Sequence, residues 1–225
     1  MKKFKTIAFC LCGFACSIFS SGQPTVRIQK KVLASPNVTS HIFQFPINTL
    51  RDTLRPFLDP YLQMESPFLK QVFYHYNDRD SIQTTFKIIT ANDSAHRWLV
   101  GDYFKMPNTE NDIVLHSYVS PWDSPLYYWK KKPLPYIASF ILKLKSIDKD
   151  QTLLTIEPQN PEIYLCTFYW TQCTTCGIDV MDLRTRDVKP TTIEEHALLQ
   201  YIADKLGDHT VEPLKLPQAA FVKGR

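Results

Sequence analysis

Apolar and polar positions change rhythm several times along this chain, and each change predicts an element. Val38–Phe45 is rich in branched and aromatic residues and stops at Pro46, which reads as a first strand. Leu50, Leu54, Phe57, Leu58, Tyr61 and Leu62 then recur at helical spacing, with Thr49-x-x-Asp52 as a capping box. Pro56 and Pro60 inside that stretch should kink or split the helix. Period-two alternation follows at Ile82–Ile88 and again at Ile113–Val119, and His96–Phe104 is a further candidate strand. Tyr136–Ile147 and Thr152–Glu157 flank the polar turn Asp148-Lys149-Asp150, the best hairpin in the chain. Ile163–Trp170 is a last strand, with Tyr164, Cys166, Phe168 and Trp170 on one side. The closing helix starts at a second capping box, Thr192-x-x-Glu195, and carries the stripe Leu199, Ile202, Ala203, Leu206. It ends at Gly207, where a C-cap glycine belongs.

Strands with one apolar face and helices with one apolar stripe bury each other best as a sheet with helices on one side. The expected class is therefore α+β: a curved antiparallel sheet packed on the C-terminal helix, with a broken helix after the first strand. Residues 23–36 read as a polar lead-in, 37–207 as one domain and 208–225 as a loose tail. This element order, together with the segment Thr191-Thr192-Ile193-Glu194-Glu195-His196, resembles the START-like superfamily of helix-grip proteins. The resemblance implies a hydrophobic guest held between sheet and helix, and it implies no catalytic residue. The Pro-rich stretch 121–135 and the cysteines depart from that pattern.

The first 22 residues change how the bulk numbers are read. Three lysines in Met1–Lys5, an apolar run over Thr6–Phe19 and Ser20-Ser21-Gly22 have the order of a secretory signal peptide, with cleavage expected after Gly22. The run is shorter than the roughly 20 residues a spanning helix needs. Export to a periplasm or the medium is expected. Gly13-Phe14-Ala15-Cys16 offers an alternative, a lipoprotein anchored at Cys16, although Gly13 stands where a Leu-like residue belongs. Without the leader lysines the net charge falls from +4 to +1, so no nucleic-acid partner is indicated. Glycines are too few and too scattered for a phosphate loop, a dinucleotide fingerprint or a nucleophile elbow, and no cofactor is expected.

Three groups remain as candidates for chemistry. Cys166, Cys173 and Cys176 form C-x6-C-x2-C. In an oxidising compartment they are expected to pair as Cys173–Cys176, or Cys166 with one of the two. Thiol–disulfide exchange is the alternative, and a metal site would lack a fourth ligand. Trp122, Tyr127, Tyr128, Trp129 and Lys130 lie in PWDSPLYYWKKKPLP, read as a surface loop that either packs back on the sheet or meets a membrane surface as a lid. His41, His75, His96 and His116 are scattered one per element and are expected to be structural. The leading functional expectation is binding of a hydrophobic small molecule or lipid. Its wall would be Phe86, Ile88, Leu115, Phe140, Leu142, Phe168 and Trp170 on the strands and Leu199 and Ile202 on the last helix. An envelope interaction protein is a third possibility.

Overall fold

Two long strands organise the structure. β6 (Lys132–Ser146) and β7 (Thr152–Thr167) pair antiparallel along their length, closed by the turn expected at 148–150. In that turn Ile147 N–H donates to Gln151 O at 3.0 Å, and Asp148 Oδ1 accepts from Asp150 N–H at 2.8 Å. The computed structural model describes residues 27–58, 67–73, 86–89, 109–117, 122–167, 182–218 and 221–223.

A straight strand of 16 residues would reach about 50 Å, too far for a domain of this size to cover, so the pair must bend. The bend is a bulge. Ile137 pairs with Glu162 and Ser139 with Gln159, so Asn160 and Pro161 together face Ala138. Asn160 sits at φ 44, the left-handed region that asparagine tolerates better than most residues.

The bend lets each long strand hold different partners at its two ends. β6 pairs with β5 (Trp122–Trp129) at its start and with β4 (Ile113–Ser117) further on. Beyond β4 lies β3 (Phe86–Ile89). β7 pairs with β2 (Ser40–Phe43) at its start and with β8 (Asp182–Asp187) at its end. β1 (Gln29–Lys31) extends the sheet from β5, and β9 (Phe221–Lys223) extends it from β1. The result is a strongly curled antiparallel sheet, a half-barrel, closed over helices: the α+β, helix-grip-like arrangement.

α1 (Ile47–Phe57) packs on β6 and buries Leu50, Leu54 and Leu58, one residue per turn. Its start differs from expectation. Pro46 is the N-cap and Thr53 turns its hydroxyl back to Thr49 O at 2.8 Å, so Thr49 and Asp52 form no capping box. Pro46 needs no N–H there, and its fixed φ leads straight into the first turn. Pro56 lies in the last turn, close to where the helix stops. α2 (Pro67–Val72) follows and buries Leu69, Val72 and the adjoining Phe73.

α3 (Ile193–Lys205) is the helix the sheet grips. Every residue from Ile193 to Ala203 is buried, so sheet, α2 and tail surround it on all sides. The tail is not loose, and the lead-in is not merely polar. Asn37 accepts from Lys215 N–H at 2.8 Å and donates to Lys215 O at 3.1 Å, as a neighbouring strand would. Gln218 N–H reaches Val32 O at 3.1 Å, while Val211 and Leu214 pack against the core. Pro213 and Pro217 suppress regular pairing over residues 211–218, so side-chain amides and short bridges take its place there.

Candidate functional site

The polar interior of the half-barrel gathers at the start of α3. Glu194 and Glu195 are 0 % and 1 % exposed. Sequence placed Glu195 in a capping box, and half of that box exists. Its carboxylate takes the Thr192 backbone N–H, but Thr192 sits at φ 64 and its hydroxyl accepts from Asn37 N–H instead. Thr191 supplies the missing acceptor, taking Ile193 N–H on Oγ1 at 3.1 Å.

Glu194 lies between Thr191 and Trp122. The Thr191 hydroxyl meets Oε2, and the Trp122 indole N–H donates to Oε1 at 3.4 Å. Trp122 is 1 % exposed and lies edge-on to Tyr136, with ring centroids 5.4 Å apart; Tyr127 stacks on Tyr136 at 6.5 Å. Phe73 closes on Trp122 at 5.0 Å. The cluster is thus two carboxyls walled by aromatic rings.

Burial dominates its electrostatics. Loss of hydration pushes the Glu194 carboxyl far above the usual range and adjacent Glu195 adds to the effect, outweighing the bonds from its own backbone and from Trp122. Burial raises Glu195 as well, against the bonds from its own backbone N–H and that of Thr192. Tyr136 is raised by burial first and then by both glutamates. Glu195 Oε2 is buried with no hydrogen-bond partner among the described residues.

On another side of α3, His196 sets both ring nitrogens 2.8 Å from carbonyl oxygens, those of Val38 and Glu212. Gln200 adds a second donor to Glu212 O at 2.9 Å. These residues bind the helix to the chain on either side of it. A comparable tie holds β2, where His41 Nε2 lies 2.9 Å from Asp208 Oδ2 and Thr210 donates to Asp208 Oδ1 at 2.7 Å.

Of the expected wall, Leu115, Phe140, Leu142, Leu199 and Ile202 come together in the core, each 0 % exposed. Ile88, Leu115 and Phe140 stand in one row across β3, β4 and β6, and Phe86 is opposite Ser117. Phe168 and Trp170 lie outside the described residues. The face they were assigned does not hold for the described part of β7. Leu154 and Ile156 point inward before the bulge, whereas Ile163 and Leu165 do so after it, because the extra residue at 160–161 exchanges the faces.

The stretch read as a loop is a hairpin. Tyr128 pairs with Pro133 and Trp129 with Lys132, and Lys130 (φ 47) and Lys131 (φ 66) make the two-residue turn. Ser124 Oγ accepts from Leu126 and Tyr127 N–H, which shapes the bulge that lets Pro125 sit in β5. Trp122 and Tyr127 are therefore core residues and cannot form a lid. Tyr128 is half-buried, and Trp129 and Lys130 are exposed. Cys166 stands on β7 opposite Leu183, while Cys173, Cys176, His75 and His96 lie outside the described residues. Among the described residues no three His, Cys, Asp or Glu side chains converge as a metal site, and no helix is long and apolar enough to cross a membrane.

Sequence reading missed the carboxyl pair as a site. Its signal was present: Glu195 lies four residues before Leu199 and seven before Ile202, in line with the apolar stripe. No protein-family model, curated protein or solved structure matches this chain.

Proposed function

We propose that this protein binds an amphipathic small molecule or lipid between the curled sheet and α3, with the apolar part among the core side chains and the polar head at Glu194, Glu195 and Tyr136. On this reading the chain is START-like, and its role is to hold a guest. The observation that carries it is Glu195, a 1 % exposed carboxyl with one oxygen lacking a partner, beside a second buried carboxyl. Leaving a buried polar group unpaired costs about 1–3 kcal/mol, which an apolar residue in the stripe would avoid. A guest that donates a hydrogen bond offsets that cost.

The core side chains close on one another in this structure, so a guest must displace contacts, and its affinity is net of that work. The head group should be a donor. A primary amine or an alcohol pairs with the open oxygen, whereas a carboxylate adds a third acid to two already held above their normal range.

Solvent extraction of purified protein followed by mass spectrometry, with titration of dodecylamine, dodecanol and laurate by calorimetry, tests this. The expected result is a co-purified or saturably bound guest, amine and alcohol bound more tightly than laurate, and loss of the amine preference in Glu195→Gln. No extracted guest and no saturable binding of any of the three probes would overturn it.

A further inference from the structure

A second surface stands apart from the carboxyl cluster, at the end of the sheet where β1, the β5–β6 hairpin and β9 meet. Lys131 N–H donates to Gln29 Oε1 at 3.2 Å, and Gln29 pairs with both Tyr128 and Lys223. The hairpin tip is thereby fixed against β1. Lys130, Lys131 and Lys132 are exposed at the tip, and half-buried Lys30 and Lys31 lie beside them. Arg27 is exposed just before β1, and Lys223 is on β9.

The charge is segregated. No Asp or Glu occurs in residues 27–33, 124–135 or 213–225, the stretches that hold β1, the β5–β6 hairpin tip and β9. Six cations with described side chains stand here on a chain of net charge +4, so the remainder is net −2.

The cations are interleaved with rings. Lys31 Nζ lies 4.4 Å from the Tyr128 ring centroid, Lys130 Nζ 4.9 Å from that of Trp129 and Lys30 Nζ 5.5 Å from that of Tyr127. Trp129 is 38 % exposed and Val32, next to Lys31, is 40 % exposed. A cluster for a soluble polyanion needs only the charge. An exposed Trp and Val among lysines also match the boundary of a bilayer, where rings sit at head-group depth and lysines meet phosphates.

We infer that this end of the sheet docks on an anionic lipid surface, with Trp129 entering the head-group layer and the lysines of the tip and β1 contacting phosphates. The inference stands on the charge and the rings and does not depend on a guest beneath α3.

Vesicle co-sedimentation tests it, using the chain from Gln23 onward, which contains every described contact and lacks the apolar leader. The expected result is binding to vesicles of equal phosphatidylglycerol and phosphatidylcholine, none to phosphatidylcholine alone, and loss of binding in 0.5 M salt. Lys130→Asn with Lys131→Gly removes two charges while giving the turn its favoured Asn-Gly sequence, so the hairpin survives. Binding should fall about thirtyfold, roughly five- to sixfold for each of the two lysines removed. Tryptophan emission should shift to the blue on vesicles in the parent and not in Trp129→Phe. Absence of binding at low salt overturns the inference. So does equal binding to dextran sulfate with no Trp129 shift on vesicles, which assigns the surface to a soluble polyanion.

Discussion

Glu194→Gln is the sharpest test of how the interior is organised. The glutamate makes contacts that suit a neutral carboxyl. Oε1 accepts from Trp122, and Oε2 meets a Thr191 hydroxyl that already accepts Ile193 N–H. Glutamine can keep each, its carbonyl facing Trp122 and its amide N–H donating to Thr191. What it cannot do is ionise. Burial and Glu195 push the Glu194 carboxyl up to about 8, above its value in an unfolded chain. Below about pH 4.5 the group is neutral in both states and costs nothing. As pH rises toward 8 the unfolded chain releases the proton and the folded protein retains it, so stability falls across that window and levels off above it. A shift of that size corresponds to roughly 5 kcal/mol at one site, part of which belongs to the pair with Glu195 and not to Glu194 alone. The Gln variant should therefore match the parent within about 1 kcal/mol at pH 5 and exceed it by about 2–4 kcal/mol at pH 8.5. Urea unfolding at pH 5, 7 and 8.5 measures both. A parent whose stability rises between pH 5 and 8.5, or a variant weakened equally at all three, would refute the account of a carboxyl kept neutral by burial.

Two other regions make separate predictions. Asp208 is held down to about 2 although its partial burial acts the other way, because Thr210 and His41 hydrogen-bond its charged form. Its contribution is present above the ordinary carboxylate range and lost as pH falls toward 2; Asp208→Ala should cost about 1 kcal/mol or less at pH 7, the pair being partly exposed, and nothing at pH 2, by thermal unfolding. At the bulge, Asn160 occupies φ 44. Asn160→Val should be less stable than Asn160→Gly by about 1–2 kcal/mol in urea unfolding, since a branched side chain resists that conformation.

The long hairpin and the terminal helix were legible because their signals are local. A polar turn between alternating runs specifies β6 and β7, and a stripe ending in Gly207 specifies α3. What escaped was set by distant partners. Two-residue periodicity put Tyr164 and Cys166 on the side of the wall residues Phe168 and Trp170, but one extra residue at Asn160–Pro161 turns Ile163 inward. Prolines and lysines made 121–135 look like a loop. Pro133 and Pro135 are tolerated within β6, and two adjacent lysines adopt positive φ because the strands on both sides already pair. Residues 208–218 held no periodic pattern, since His196, Gln200 and Asn37 anchor them rather than a ladder.

The carboxyl pair failed to register for a related reason. A glutamate three residues after a threonine at a helix start satisfies a capping rule, and that local explanation is sufficient until the sheet is known to curl over the same turn. Once β5 brings Trp122 onto Glu194, next to that capping Glu195, both acids belong to the interior, where a charge without a partner is costly and a neutral carboxyl is a donor as well as an acceptor. The fold thus converts a surface signal into a buried polar centre. The same curl leaves the tip of the β5–β6 hairpin outside, with Lys130, Lys131 and Lys132 exposed. One bend therefore separates two polar features among the described residues, one hidden under aromatic rings and one exposed among them.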